Sequence, residues 1–151
     1  MNKDFPALCF PRFDFRFKEE KDSINIFDEI RKKWVVCTPE EWVRQNLIKF
    51  LIENLSFPKS LIAVEKSILI AGKNLRFDLL VYDKEFKPLV LIECKAPTVN
   101  LNQSVFNQIW SYNYKVDAPY FIVSNGVAFV MGTYKNGDVV FFQETKCFDE
   151  L

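Results

Sequence analysis

The stretch that decides the fold is Leu89-Val-Leu-Ile-Glu-Cys-Lys-Ala-Pro97. Four apolar residues run directly into Glu93 and Lys95, and Pro97 stops the pattern, which is typical of a short buried strand. Because side chains alternate across a strand, Glu93 and Lys95 point to one face and Cys94 to the other. An acid and a base at the end of a buried strand are costly to desolvate. The pair is therefore either satisfied locally or present for chemistry.

The segment before this strand supplies a second carboxylate. Residues 75–82 form another strand candidate with Asp78 near its start, and a polar connector, residues 83–88, links the two strands. In an antiparallel hairpin without a bulge, residues equidistant from the centre of the connector face each other. Asp78 and Glu93 are equidistant from that centre, so the sequence predicts that they face each other within reach of one cation.

Two helices are predicted to flank these strands. Thr38 as the N-cap, Pro39 at the first helical position and Glu41 three residues after the cap mark the start of the first helix. The second helix spans roughly residues 104–115, where Gln108 and Tyr112 share one face because they lie four residues apart. A buried strand, residues 120–123, follows this helix and is expected to run parallel to the Glu93 strand through a right-handed crossover.

The remaining segments predict further strands around this centre. Residues 12–18, 24–27 and 34–37 are expected to form an N-terminal β-meander behind an extended arm, and residues 61–70 a single strand. Residues 127–134 and 139–143 are expected to form a last hairpin around Asn136 and Gly137. We predict one domain, 1–151, divided into arm and meander (1–37), core (38–131) and C-terminal strand and tail (132–151). The fold class is α/β (α+β), with a central mixed β-sheet between two helices.

Composition limits the possible functions. Of the 151 residues, 49% are hydrophobic and 16% aromatic, which predicts a folded domain. Lysine and arginine number 20, as do aspartate and glutamate, so any contact with nucleic acid must come from a local patch. The absence of histidine excludes histidine-based catalysis and metal ligation. Four cysteines without CxxC spacing, no signal peptide and no long apolar run predict a reduced, soluble, cytoplasmic protein without membrane contact.

One basic cluster allows two interpretations. Arg31, Lys32 and Lys33 precede Trp34, so they could contact a phosphate backbone while the indole stacks on a base. The alternative is a solvated turn beside a core tryptophan, which is favoured because three charges are a small footprint for nucleic-acid binding.

Five motifs in order resemble a known family. They are Thr38-Pro-Glu-Glu-Trp-Val-Arg-Gln45, Arg76-Phe-Asp78, Glu93-Cys-Lys-Ala-Pro97, Gln108-Ile-Trp-Ser-Tyr112 and Ser124-Asn-Gly126. An aspartate followed by Glu-x-Lys on the next strand is the pattern of the PD-(D/E)xK nucleases. Together the motifs resemble the N-terminal nuclease domain of the R (motor) subunit of type I restriction enzymes, over roughly residues 27–131. In that family a helicase motor follows this domain, so we expect a stand-alone version here.

The resemblance implies a restriction-endonuclease-like core that hydrolyses DNA with Mg²⁺ or Mn²⁺, in restriction-modification or DNA processing. Asp78, Glu93 and the backbone carbonyl of Cys94 would hold the metal, and Lys95 would act on the attacking water. Such nucleases carry an acidic residue on the first helix; Glu41 is the candidate catalytic residue and Glu40 the alternate. Glu41 is explained equally well as a capping-box carboxylate.

The resemblance also implies a set of substrate-binding residues and partners. Gln108 and Tyr112 would lie beside the metal and help to hold the substrate, and Arg76 is the third candidate. DNA is the expected partner, together with a separate motor or specificity subunit, and a homodimer is compatible with the sequence.

Two other functions remain open at this stage. The first is a catalytically silent nucleic-acid-binding or assembly module that keeps the nuclease fold. The second is an α/β domain in which Lys95 only neutralises Asp78 and Glu93. A metal requirement for cleavage would distinguish the enzyme from both.

Overall fold

The structure is a computed structural model that describes residues 5–151; residues 1–4, part of the predicted arm, lie outside the described residues. Helix α1 spans Pro39–Glu53 and helix α2 spans Gln103–Val116. In chain order, the strands β1 to β11 are Phe17–Glu20, Ser23–Asp28, Lys33–Val36, Ile62–Val64, Ser67–Ile70, Lys73–Arg76, Leu79–Tyr82, Pro88–Cys94, Tyr120–Ser124, Phe129–Lys135 and Asp138–Phe141.

A six-stranded mixed sheet forms the centre, in the order β11-β10-β9-β8-β7-β4. Strands β8 and β9 are parallel, as the crossover through α2 predicted, and the other neighbours are antiparallel. Strand β10 runs across position 131, so the sheet continues from the predicted core into the C-terminal part. The turn at Asn136 and Gly137 joins β10 to β11 as expected, with φ of 53° and 83°.

The two helices cover opposite faces of this sheet. Apolar residues of α1, such as Val43 and Leu47, pack in one buried cluster with Ile92 of β8. Val105 and Ile109 of α2 pack in a second cluster that includes Leu91 from the other face of the same strand. This alternation along β8 explains why an almost uninterrupted apolar run is required there. The prediction of a central mixed sheet flanked by two helices is confirmed.

The predicted meander is present as a separate three-stranded sheet, in the order β1-β2-β3. Its first strand is shorter than expected, because residues 12–16 have no regular structure and pairing with β2 begins at Phe17. The side chains of Phe13 and Phe15 are nevertheless less exposed than their polar neighbours. The alternation in the sequence therefore reports burial against the domain and not strand pairing alone.

Two strand predictions were wrong in a way that shapes the site. Residues 61–70 and 75–82 were each expected to be one strand, but both are interrupted. At Glu65 the backbone has a φ of 49°, and the chain leaves the central sheet to form a separate hairpin, β5–β6, before it returns at Leu79. Left-handed backbone is rare for glutamate, and nothing in the local sequence announces it. Asp78 consequently lies at the point where this hairpin rejoins the sheet.

The starts of both helices follow their sequence signals. The hydroxyl of Thr38 accepts a hydrogen bond of 3.1 Å from the backbone N–H of Glu41, and the side chain of Asn102 caps α2 in the same way. Within residues 5–151, neither α1 nor α2 has the length and hydropathy that a membrane span requires.

Candidate active site

The predicted pairing of the two carboxylate-bearing strands is confirmed on the side of the site. Leu79 pairs with Ile92 and Leu80 with Leu91, the register that places Asp78 opposite Glu93. The single irregularity falls between Val81 and Tyr82, towards the connector. On the connector side of this bulge Tyr82 pairs with Pro88, and on the site side the register is shifted by one residue, which brings Asp78 opposite Glu93. The predicted pairing of the carboxylates is therefore present, but it depends on a bulge that the prediction assumed to be absent.

Glu93, Lys95 and Gln108 form one hydrogen-bonded group. The Nζ atom of Lys95 lies 3.0 Å from Oε1 of Glu93 and 3.3 Å from Oε1 of Gln108. The amide of Gln108 donates a further hydrogen bond of 3.1 Å to the same Glu93 oxygen. Among the described residues, none donates to Oε2 of Glu93. One oxygen of this buried carboxylate is therefore available to a ligand.

Each carboxylate oxygen of Asp78 accepts a hydrogen bond from a different part of the protein. Its Oδ2 atom accepts a hydrogen bond of 2.7 Å from the backbone N–H of Cys94, and its Oδ1 atom accepts one of 2.7 Å from Arg44 of helix α1. The first bond follows from the strand pairing. The second adds a residue that the sequence analysis did not select.

The charges of this group shift several pKa values. Burial, and then the negative charge of Asp78, raise the pKa of Glu93 to about 7, although Lys95 counteracts both. Burial acts to lower the pKa of Lys95, but its hydrogen bond to Glu93 and the nearby carboxylates outweigh this, and the pKa is raised. Burial and the charge of Asp78 also raise the pKa of Glu40. Strong shifts of this kind concentrate at functional sites.

Arg44 is the centre of a buried ion-pair cluster on the other side of Asp78. Its side chain is 4% exposed and contacts Glu40 at 3.2 Å, Glu65 at 3.4 Å and Glu41. The Nε atom of Arg44 has no hydrogen-bond partner within residues 5–151. Burial opposes the charged form, but Asp78 and Glu41 raise the pKa of this guanidinium, which therefore stays protonated.

The ion pairs of this cluster do not balance its charge. Five carboxylates are linked to three guanidinium groups, which leaves two negative charges in excess. The adjoining pair of Glu93 and Lys95 adds one charge of each sign when Glu93 is ionised, that is, above its pKa of about 7. The members are Asp28, Glu40, Glu41, Glu65 and Asp78 with Arg31, Arg44 and Arg76. Such an excess matches the charge of one divalent cation.

The donor set fits Mg²⁺ or Mn²⁺ in an open site. Asp78 and Glu93 offer carboxylate oxygens at the same edge of the sheet. Across residues 5–151, no three or more His, Cys, Asp or Glu side chains are grouped so that together they could hold a metal ion, so a cation here would depend on these two carboxylates and on water. Two carboxylates suit a hard cation that keeps several waters, which is the usual state of catalytic Mg²⁺.

The two acidic candidates on helix α1, Glu41 and Glu40, have different surroundings. Glu41 accepts hydrogen bonds from Arg31 at 2.7 Å, from Gln45 at 2.8 Å and from Arg44, so its carboxylate faces the ion-pair cluster. The N–H of Thr38 bonds to the carbonyl of Val36, so the reciprocal half of a capping box is not formed. Glu40 is the helix carboxylate whose pKa responds to Asp78.

The three substrate-binding candidates, Gln108, Tyr112 and Arg76, also have different surroundings. Gln108 lies in the site, whereas the ring of Tyr112, one helical turn later, packs edge-on against Phe77 at 5.6 Å between centroids. Arg76 has a side chain that is 67% exposed and forms an ion pair of 2.9 Å with Glu65.

The basic cluster before Trp34 is divided by the fold. Arg31 turns inward, with a side chain 13% exposed, and binds Asp28, Glu41 and Glu65. Lys32 is exposed in the turn and Lys33 is exposed at the start of β3. Trp34 was expected in the core on one interpretation, but it is 41% exposed and packs edge-on against Phe27. Arg31 is thus part of the buried cluster, which joins the N-terminal meander to helix α1.

The sequence analysis missed Arg44, Arg31 and Glu65. A signal for Arg44 was present, because Glu40, Glu41 and Arg44 lie three and four residues apart on one helix face. The pairing of Arg31 and Glu65 with this face depends on tertiary contacts across 34 residues, for which the sequence offers no local signal.

These elements define the fold class of the protein. It is a restriction-endonuclease-like fold: a mixed sheet lies between two helices, and two carboxylates and a lysine lie at the edge of paired strands. The family model described as type I restriction enzyme R protein N terminus matches residues 39–145. The chain therefore belongs to this family, and the match begins at helix α1, after the N-terminal meander.

One solved structure supports the fold. It is the "fragment structure of a putative HsdR subunit of a type I restriction enzyme from Vibrio vulnificus YJ016", which aligns over 76% of this chain with a TM-score of 0.59 and 18% identity. The alignment covers 24% of that chain, so this protein spans about a quarter of its length. No curated protein matches this sequence.

Proposed function

We propose that this domain hydrolyses phosphodiester bonds of DNA with the help of Mg²⁺ or Mn²⁺. The single observation that carries the proposal is the convergence of Asp78, Glu93 and Lys95 at one sheet edge, next to Gln108. Membership of the R-subunit family supports DNA as the substrate, the cytoplasm as the location, and a motor or specificity subunit as a partner.

Each of these residues would have its own role in hydrolysis. Asp78, Glu93 and the backbone carbonyl of Cys94 would hold the cation, which polarises the scissile phosphate and lowers the pKa of water when it is bound. Lys95 is an ammonium at neutral pH and donates hydrogen bonds, so it orients the attacking water and stabilises the negative charge that develops on the phosphate. Gln108 fixes the positions of both Glu93 and Lys95. The water oxygen forms the new bond to phosphorus, and the sugar oxygen leaves and takes up a proton.

The second candidate is a binding module without catalysis. It is favoured by one observation: both oxygens of Asp78 are already bonded, one to Arg44 and one to the Cys94 N–H. A carboxylate held this way forms a stable ion pair without any metal. The two candidate functions differ in the behaviour of Asp78. In the nuclease, Asp78 would exchange one of these two hydrogen bonds for a cation; in the binding module it would keep both.

The test is cleavage of supercoiled plasmid with Mn²⁺ by wild type, Asp78→Asn, Glu93→Gln and Glu85→Gln. Glu85 is a matched control, because it is an exposed glutamate in the connector at the opposite end of the same two strands. Cleavage should fall by about a hundredfold or more in the two site variants and stay unchanged in the control.

Calorimetric titration with Mn²⁺ completes the test. Binding should be weak in wild type and Glu85→Gln and lost in Asp78→Asn. If Asp78→Asn binds Mn²⁺ like wild type, or the site variants cleave like wild type, the assignment is wrong. Binding of DNA by a protein that neither binds Mn²⁺ nor cleaves would select the binding module.

A further inference from the structure

The hairpin β5–β6 has a charge composition unlike that of the whole chain. Residues 66–76 contain three basic residues and no acidic residue, although the chain as a whole has equal numbers of each. Lys66 and Lys73 are exposed, and within residues 5–151 neither has an ion-pair partner within 4.0 Å. Arg76 is paired with Glu65, so the charges of Lys66 and Lys73 are the uncompensated ones, and they give the hairpin a small basic surface.

This hairpin is attached directly to the candidate site. The N–H of Phe77 donates to the carbonyl of Lys66 at 2.9 Å, and the N–H of Glu65 donates to the carbonyl of Asp78 at 2.7 Å. Phe77 is buried at the base of the hairpin, against Tyr112 of α2. The stem is therefore closed by hydrogen bonds at the residue before a candidate metal ligand, and its position relative to Asp78 is fixed.

The two faces of the hairpin have different environments. Ile68 pairs with Leu75, and both are half-buried against the α2 side of the domain. The opposite face carries Leu69, which pairs with Asn74 and is 73% exposed. A two-stranded ribbon has the width of a DNA groove, and apolar side chains on such elements contact sugars and base steps. Arg76 lies on the same face as Leu69, whereas Lys66 and Lys73 fall on the face of Ile68 and Leu75 and are exposed at the two ends of the ribbon. A basic ribbon with an exposed leucine on one face fits that kind of surface.

Helix α2, which lies beside the site, carries no negative charge that would repel a nucleic acid. Residues 103–116 contain no acidic residue and one lysine, Lys115. The exposed positions Asn107 and Ser111 carry amide and hydroxyl groups, which bond to phosphate oxygens in nucleic-acid complexes. A polyanion would therefore meet positive charge at the hairpin and neutral donors along α2, on either side of the negatively charged cluster around Asp78.

We propose that the β5–β6 hairpin is a nucleic-acid-binding arm that holds duplex DNA next to the candidate site. Lys66 and Lys73 contact the phosphate backbone, Leu69 enters a groove, and Arg76 exchanges its ion pair with Glu65 for a phosphate. The proposal rests on the proposed function for its choice of ligand. The alternative ligand for such a surface is an acidic protein segment, which the experiment tests separately.

The experiment measures the salt dependence of binding to a fluorescein-labelled duplex by fluorescence anisotropy, in EDTA, so that no cleavage occurs. Wild type is compared with the double variant Lys66→Ala/Lys73→Ala. The matched control is Lys84→Ala/Lys135→Ala, which removes two exposed lysines at the end of the strands opposite to the site, in the β7–β8 connector and at the end of β10. Leu69→Ser tests the apolar contact.

Each phosphate contact contributes about 0.9 to the slope of log K against log salt concentration. The arm variant should therefore lose roughly two units of slope and bind at least tenfold more weakly at low salt. The control should keep the slope of wild type, and Leu69→Ser should weaken binding at an unchanged slope.

The opposite results overturn the proposal. These are an arm variant with the slope of wild type, an equal loss in the control, or no binding of DNA by wild type. Displacement of the duplex by poly-glutamate at equal charge concentration would also overturn it, in favour of an acidic protein partner. If the arm variant loses slope as expected and no protein cleaves, the arm stands and the proposed hydrolysis fails. If cleavage is confirmed and the slope of the arm variant does not change, the arm alone fails.

Discussion

Arg44 donates a hydrogen bond of 2.7 Å from its Nη2 atom to Oδ1 of Asp78, and this buried ion pair joins helix α1 to the strand pair of the site. Both side chains are largely buried, at 4% and 13% exposure. The guanidinium is the nearest positive charge to Asp78 on the α1 side, as Lys95 is for Glu93 on the α2 side. Each candidate metal ligand therefore has its own counter-charge from the protein.

The first prediction concerns this counter-charge. Arg44→Gln leaves Glu40, Glu41, Glu65 and Asp78 without it, and breaking a buried ion pair costs about 3–5 kcal/mol. We expect that loss in the free energy of unfolding, measured with urea in EDTA. Because a divalent cation replaces lost positive charge near Asp78, Mn²⁺ should restore stability more in Arg44→Gln than in wild type.

Arg44→Lys is the control for this prediction, since it keeps the charge and loses the forked geometry. Its loss of stability should be smaller than that of Arg44→Gln. If the glutamine variant is as stable as wild type in EDTA, or responds to Mn²⁺ no more than wild type, Arg44 is not the counter-charge of Asp78.

The second prediction concerns pH. The pKa of Glu93 is raised to about 7 in the folded protein, first by burial and then by Asp78. A folded state that holds a proton which the unfolded state has released is stabilised at low pH. This contribution is complete below the unfolded pKa of about 4.3 and is lost as the pH rises through 7.

The comparison of wild type with Glu93→Gln isolates this effect. Asp28 and Glu65 have lowered pKa values and make stability rise with pH, but they do so in both proteins. In EDTA, the stability of wild type relative to Glu93→Gln should fall by up to about 3 kcal/mol between pH 5 and 8. Mg²⁺ favours the ionised carboxylate and should flatten this difference. Parallel stability curves in EDTA would contradict the prediction.

The sequence predicted the half of the site that depends on strand geometry. A strand has a period of two residues and the connector is short, so the positions of Asp78 and Glu93 were fixed by counting from residues 83–88. That count assumed no bulge and a connector that ends at Pro88, but strand β8 begins at Pro88 and a bulge lies between Val81 and Tyr82. The two differences offset each other by one residue, so the register at Asp78 and Glu93 agrees with the count. Gln108 was selected because the resemblance to the nuclease family implies a Gln-x-x-x-Tyr pair beside the metal; the spacing alone predicts only that Gln108 and Tyr112 share one helix face.

The other half of the site could not be predicted in this way. Glu65 adopts a left-handed conformation that is rare for glutamate, so the separate β5–β6 hairpin had no local signal. Arg31 was assigned to a surface cluster because its partners Glu41 and Glu65 lie 10 and 34 residues away in the chain. Buried ion pairs depend on such distant partners, whereas periodicity reports only the local element.

The last prediction separates two roles of Lys95. Its Nζ atom bonds to Glu93 and Gln108, and its side chain is 21% exposed. As a counter-charge it should matter most without metal, when two carboxylates repel each other. As a catalytic residue it should matter most for the attacking water and for the charge that develops on the phosphate.

Both roles are measured with Lys95→Ala, by thermal melts with and without Mg²⁺ and by plasmid cleavage with Mn²⁺. We expect a lower melting temperature in EDTA that Mg²⁺ largely restores, because the cation supplies the missing positive charge. Cleavage should still fall by about a hundredfold or more, since the cation does not replace the hydrogen bonds of the ammonium group. Lys84→Ala, an exposed lysine at the other end of the strand pair, is the control and should change neither measurement.

The combination of results decides between the roles. Full stability with Mg²⁺ together with lost cleavage identifies Lys95 as catalytic. Restored cleavage whenever stability is restored would show that Lys95 only balances charge. Cleavage by wild type that persists unchanged in Lys95→Ala and in Glu93→Gln would place the activity at another site, because no hydrolysis centred on these residues survives the loss of either one.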